Sequence, residues 1–148
     1  MRIRQTHSYI NMKMHIKCME YRHQGNQVSM VNYHIVFCPK YRRHILVGAI
    51  KKRLDEIMEN VAMENGWEII SKEVMPDHVH LFISADTQTR PHIVVKRFKG
   101  RSSRYLRNEF PELLKMPTLW THSYFLSTAG NVSASVIKKY IGQQWDNV

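Results

Sequence analysis

Trp67-Glu68-Ile69-Ile70-Ser71-Lys72-Glu73-Val74-Met75 and His78-Val79-His80-Leu81-Phe82-Ile83-Ser84, separated only by Pro76-Asp77, read as a β-hairpin. Both runs are rich in β-branched and aromatic residues, and Pro-Asp is a turn signal between them. Side chains on a strand alternate between its faces. Val79, Leu81 and Ile83 are therefore expected against a core, with His78 and His80 on the other face about 7 Å apart. Two imidazoles so placed can share one metal ion. A pair of surface histidines, or of core histidines satisfied by hydrogen bonds, has the same spelling.

Reading outward, Val28 to Phe37 is a strand that stops before Pro39, which has no N–H for a ladder. Ala49 to Asn65 carries Ile50, Leu54, Ile57, Met58, Val61 and Ala62 at helical spacing, and Gly66 supplies the stop. Beyond the hairpin, Pro91 suits the first turn of a helix reaching about Asn108, with Ile93, Val94, Phe98 and Leu106 for its buried side. Trp120 to Thr128 is a fourth strand. Gly130-Asn131 then breaks the chain, and Ser133 caps a last helix bearing Val136, Ile137, Tyr140 and Ile141.

This order predicts the α+β class: a ferredoxin-like (RRM-like) antiparallel sheet with helices on one face and an extra C-terminal helix carrying a tyrosine. Residues 26–148 are expected to form a single domain. Residues 1–25, with Arg2, Arg4, Lys13, Lys17 and Arg22 against Glu20, are expected to form an irregular basic arm.

The chain has 148 residues, 43% hydrophobic and 23% charged, which fits one globular core rather than disorder or a fibre. Its net charge of +10 favours a polyanion, nucleic acid before anionic lipid. Cys18 and Cys38 make neither a disulfide framework nor a zinc ribbon, so a reducing cytoplasm fits. No apolar run approaches the ~20 residues that cross a bilayer, and no membrane partner is expected.

Tyr140 and Gln144 stand one helical turn apart on one face. If that helix lies over the histidine face, Gln144 offers an oxygen to the metal and Tyr140 offers its hydroxyl to a phosphate. If it does not, the tyrosine packs its ring and the glutamine is solvated. A phenol with pKa near ~10 is a weak nucleophile at neutral pH, so nearby positive charge, from the metal or Lys139, is required.

Lys96, Arg97, Lys99, Arg101, Arg104 and Arg107 follow one another with no acid among them. They are the expected phosphate-backbone contacts, although a solvated helix face reads the same way. Tyr33, Tyr41, Trp120, Tyr124 and Phe125 are available to stack unpaired bases or to fill the core. His34, His44, His92 and His122 are further ligand candidates without an assignment.

Several separated blocks resemble the single-tyrosine HUH transposases of the insertion sequence 200/605 family. They are Asn32-Tyr33-His34-Ile35-Val36-Phe37 with Pro39-Lys40-Tyr41-Arg42, Met75-Pro76-Asp77-His78-Val79-His80-Leu81, Lys99-Gly100-Arg101-Ser102-Ser103-Arg104 and Tyr124-Phe125-Leu126-Ser127-Thr128. Val136-Ile137-Lys138-Lys139-Tyr140-Ile141 with Gln143 and Gln144 completes the set, and the likeness runs from about Tyr21 to Gln144. The resemblance implies that His78 and His80 are metal ligands, that Tyr140 is the nucleophile, and that Gln144 is the third ligand, with Gln143 its substitute if the helical phase differs. It implies Mg2+ or Mn2+ and a homodimer in which a tyrosine helix can complete the partner's site, with Gly130-Asn131 as hinge.

The implied activity is metal-assisted cleavage and rejoining of single-stranded DNA at hairpin-bearing element ends through a 5′-phosphotyrosine. No nucleotide cofactor is expected, and the chain has no Walker-type glycine loop. The basic stretch before Tyr21 and Thr121-His122-Ser123 depart from the family's usual pattern and bear on DNA-end recognition. Three other readings stay open: a replication or relaxase nuclease of the same chemistry, a noncatalytic RNA- or DNA-binding module, and a phosphodiesterase that uses water.

Overall fold

A computed structural model describes residues 23–24, 27–128 and 134–143. In chain order they form β1 (His23–Gln24), β2 (Gln27–Val28), β3 (Val31–Phe37), α1 (Gly48–Glu64), β4 (Glu68–Met75), β5 (His78–Ala85), α2 (Pro91–Glu109), β6 (Phe125–Ser127) and α3 (Ala134–Gln143). Strands β4-β5-β3-β6 make one antiparallel sheet, with the expected hairpin, β4 and β5, at one side.

Alternation decides which face carries the core. Tyr33, Ile35 and Phe37 of β3 and Val79, Leu81 and Ile83 of β5 point one way and are buried. Leu54, Ile57, Met58 and Val61 of α1, spaced as one helical stripe, cover them together with Val94, Val95, Phe98 and Leu106 of α2. Each such side chain contributes roughly 1.5–3 kcal/mol of burial. Gly66, with φ of 67°, ends α1 in the left-handed region that a side chain disfavours. The other face of the sheet receives Ile141 of α3, which packs on Val36 and Cys38.

Two strands differ from their expected extent. The run from Val28 to Phe37 is interrupted, because Gln27–Val28 pairs back with His23–Gln24 and the main strand starts at Val31. The first 22 residues of the expected basic arm lie outside the described residues, as do Gly130, Asn131 and Ser133. The fourth strand spans only Phe125–Ser127 rather than Trp120 to Thr128. Its expected first half stays beside β3 through Lys40 N to Leu119 O (2.8 Å) and Thr121 N to Cys38 O (3.0 Å). The carbonyls of residues 121–123 are taken instead by the Lys99 ammonium, and a ladder cannot form on acceptors already in use.

Asp86 closes the turn between β5 and α2. Its carboxylate accepts from Trp67 Nε1 (2.8 Å), Gln88 N (3.0 Å), Thr89 N (2.6 Å) and Thr89 Oγ1 (3.0 Å). Burial raises its pKa, but these donors outweigh burial and hold it down to about 2. A carboxyl depressed in the folded state stabilises above its unfolded pKa, 3.8, and loses that contribution as pH falls toward 2. Asp86→Asn is expected to cost about 1 kcal/mol at pH 7, a figure discounted for partial exposure. Urea unfolding at pH 7 and pH 3 checks this, and the gap between variant and wild type should narrow at the lower pH.

Candidate active site

The sheet face opposite the core carries His78, His80, Phe82 and Ser84 from β5. Register places His80 beside Val36 of β3 and Glu73 of β4, and Phe82 beside His34 and Ser71. His34, which the sequence left without a role, comes within reach of His80: its Nδ1 lies 3.2 Å from His80 Nε2. Its ring stacks on Phe82 at 4.2 Å, which fixes the imidazole's plane. Burial first, and His34 next, hold the His80 pKa below its usual range, so the ring is a neutral donor at pH 7.

The neighbour of the histidine pair in sequence orients it. Asp77, in the tight turn, accepts at Oδ1 from His78 Nδ1 (2.8 Å) and at Oδ2 from Arg42 Nε (2.7 Å). With Nδ1 committed to the carboxylate, His78 Nε2 keeps its lone pair for a ligand, an arrangement that recurs behind metal-bound histidines. Burial works against the Asp77 carboxylate, but the bonds from His78 and Arg42 hold its pKa below the ordinary value. Arg42 and Tyr41 both adopt positive φ, 51° and 60°, a strained conformation for side-chain-bearing residues next to a candidate site. Leu46 N donates to Pro76 O (3.1 Å) and pins the turn from its other side.

Among the described residues, no group of three or more His, Cys, Asp or Glu side chains forms a metal cage. The donors that are present suit a divalent ion nonetheless: two imidazoles on one strand face, one with its tautomer set by a carboxylate and the other held neutral. Nitrogen donors suit manganese better than magnesium. Gln144 lies outside the described residues; Gln143, the alternative, is exposed on the last turn of α3.

Tyr140 lies on the same side of the sheet as the histidines. Its ring packs on Phe125 at 6.1 Å, and Phe125 shares a cross-strand row with Val36 and His80. The phenol oxygen is 3.3 Å from Ser123 Oγ. Burial pushes its pKa up to about 12, a rise that the Ser123 and Thr121 hydroxyls partly offset. At pH 7 only about one phenol in 10⁵ is then ionised. The site as it stands holds the tyrosine protonated, and added positive charge is needed to make it attack.

The segment under the phenol is tied to α2 by one residue. Lys99 Nζ donates to Thr121 O (2.5 Å), Ser123 O (3.3 Å) and His122 O (3.4 Å), and lies 5.7 Å from the Tyr124 ring centre. Burial lowers its pKa to about 8. Lys99→Met should leave those carbonyls without their donor, at about 1 kcal/mol in a thermal melt. The salt dependence of single-stranded DNA binding should not change. A salt slope lower by about one, with stability intact, would instead mean that Lys99 reaches phosphate.

The remaining cations of the basic run sit on α2, in the layer across the sheet from the histidines. Arg97 bonds Asn65 Oδ1 and lies 5.6 Å over Trp67, Arg101 makes a paired bridge to Glu64 (2.8 and 3.1 Å), and Arg107 donates to Met116 O (3.1 Å). Lys96 and Arg104 are exposed. Of the aromatic candidates, Tyr33 and Trp120 are core residues at 4% and 5% exposure, whereas Tyr124 is 37% exposed. Sequence reading missed Asp77, Arg42, Thr121 and Ser123; only Asp77, adjacent to His78, carried a local signal.

An antiparallel four-stranded sheet with a His-Val-His strand, a carboxylate behind it and a tyrosine helix on the same face defines a class of small DNA-processing enzymes. The family described as Transposase IS200 like matches residues 27–144, and the chain belongs to this IS200/IS605 family of tyrosine transposases. It is 37% identical over 131 residues to the ISDra2 transposase TnpA of Deinococcus radiodurans, covering 86% of this chain and 94% of that one. The transposase for insertion sequence element IS200 of Salmonella typhimurium is 29% identical over 115 residues, 76% of this chain and 75% of that one.

Among solved structures, one from Deinococcus radiodurans assigned as a transposase superposes with a TM-score of 0.76 at 35% identity, covering 83% of this chain and 97% of that one. A REP-associated tyrosine transposase bound to a REP hairpin shares the fold, with a TM-score of 0.53, 12% identity and coverage of 85% and 71%. Among the described residues no helix is long and apolar enough to cross a membrane.

Proposed function

We propose that this transposase cuts and rejoins single-stranded DNA at insertion-sequence ends, with Tyr140 as nucleophile. The observation that carries the reading is the sharing of one sheet face by the His78–His80 pair and the helix bearing Tyr140. Tyr140 Oη bonds to the scissile phosphorus, the bond to the 3′ oxygen breaks, and the products are a 5′-phosphotyrosine and a free 3′-hydroxyl. The phenol proton leaves by way of Ser123, its neighbour. Attack of another 3′-hydroxyl on the phosphotyrosine reverses the bonds and joins a different strand. Bond energy stays in the phosphotyrosine, so no nucleotide cofactor is needed.

A divalent ion, Mg2+ or Mn2+, held by His78, His80 and Gln144, would supply the positive charge that polarises the phosphate. Asp77 and Arg42 orient His78, and His34 orients His80. Lys96 and Arg104 are the residues we assign to the DNA backbone. Arg97, Arg101 and Arg107, which hold internal partners, add to the field, and Lys99 holds the 121–124 segment.

Hairpin-bearing ends are the proposed substrate form, in keeping with the hairpin bound to the REP-associated relative. A homodimer is the proposed assembly, since β6, at the sheet edge, leaves a strand free to extend the sheet. The proposed setting is the cytoplasm.

Labelled single-stranded DNA from the element's ends, incubated with manganese or magnesium, should yield a covalent protein–DNA band on a denaturing gel. A second reading, attack by water with Tyr140 only structural, is favoured by the phenol's pKa of about 12. It calls for cut DNA without the band.

A further inference from the structure

A cleft of roughly 230 Å3 opens between α2 and the segment that carries Ser123, walled by His92, Lys96, Lys99, Gly100, His122 and Tyr124. Its position is what makes it informative. Ser123, whose hydroxyl meets the Tyr140 phenol, directly precedes Tyr124 in the chain. The cleft is therefore adjacent to the candidate nucleophile, on the α2 side of the segment that supports it.

Each wall offers something a nucleotide uses. Tyr124 is the aromatic near the phenol that is exposed, and its ring is set beside the Lys99 ammonium, 5.7 Å from the ring centre. An aromatic face in such a place stacks an unpaired base of any identity. Lys99 is engaged with three carbonyls, so it shapes the wall, while Lys96, one turn earlier on α2 and exposed, presents charge at the rim. His92 and His122, both exposed, add ring N–H donors. Gly100 leaves the α2 side open: a Cβ built there meets nothing within 4 Å.

We propose that this cleft is a subsite for one unpaired nucleotide flanking the scissile phosphate, its base stacked on Tyr124 and its phosphate met by Lys96. The inference rests on the reading of single-stranded DNA as substrate. It gives a use to Thr121-His122-Ser123, the stretch that departs from the family's pattern. Its size matches one nucleotide rather than a duplex, so it selects for a strand that is unpaired at this point.

A short thymidine oligonucleotide carrying 5-iodouracil, irradiated with the full chain in EDTA, tests the subsite without calling on cleavage. Peptide mapping should place the crosslink on Tyr124. Tyr124→Leu is expected to raise the Kd about tenfold and abolish that crosslink. Gly100→Leu should fill the cleft and weaken binding similarly. Its melting temperature should hold or rise, because a helix interior favours leucine over glycine. Crosslinks mapping only to another aromatic such as Tyr41, or unchanged affinity in both variants, overturn the subsite. A Tyr124 crosslink without any metal-dependent adduct would leave the subsite standing and remove the Tyr140 reading; an adduct with the crosslink elsewhere would do the reverse.

Discussion

Tyr140→Phe is expected to abolish the covalent protein–DNA band, lowering adduct formation by at least about 10³-fold, while the Kd for single-stranded DNA stays within about twofold. The substitution deletes one oxygen and keeps the ring that packs against Phe125, so the helix keeps its seat. The lost contact to Ser123 is long, 3.3 Å, and its removal costs about 1 kcal/mol or less. Folding, binding and chemistry are thereby separable in one variant. An adduct that persists would point to another nucleophile, and cut DNA with no adduct in the wild type would favour water.

His80→Ala is expected to remove calorimetrically detectable manganese binding and to cut adduct formation by about 10²-fold or more. The same change should hardly disturb stability, because the imidazole projects from the face opposite the core while Val79 and Leu81 on either side hold the strand. Asp77→Asn keeps the shape of the turn and still meets Arg42, but it weakens the acceptor that sets the His78 tautomer. A loss of about 10–100-fold in manganese affinity is the expected scale for such a supporting group. Unchanged manganese binding in His80→Ala would remove the histidine pair from the site.

These two variants lie where the sequence was most legible. The His-Val-His strand announces its two faces through a period of two, and the helices through apolar spacing that the structure reproduces within a residue or so at each end. His34 was visible as a residue but not as a partner, since its approach to His80 depends on the register of β3 against β5, strands far apart in the chain. The short β6 is a similar case. Val, Phe and Leu around Trp120 to Thr128 predict a longer strand, and only a lysine on a distant helix, taking the carbonyls, shortens it.

The basic run shows the same limit in charge. Six cations that look equivalent in one dimension are sorted by tertiary partners: Glu64 for Arg101, Asn65 for Arg97, the Met116 carbonyl for Arg107, three carbonyls for Lys99. Nothing in the spacing of a helix tells which of its charges will find a neighbour from another element. Tyr124 and Trp120, four residues apart, likewise read alike, yet one is exposed and the other forms an edge-to-face pair with Phe37.

The Pro76–Asp77 turn has a meaning that goes beyond its contacts. Because β5 alternates, its side chains behave like a message with a two-letter frame, and the turn sets where reading begins. A single residue added between Asp77 and His78, with the pairing to β3 unchanged upstream, would put imidazoles where Val79 and Leu81 now fill the interior and valine and leucine where the ion would sit. Clamped by Arg42 on the carboxylate and by Leu46 on the Pro76 carbonyl, the turn works as a start signal that keeps chemistry and packing from being exchanged.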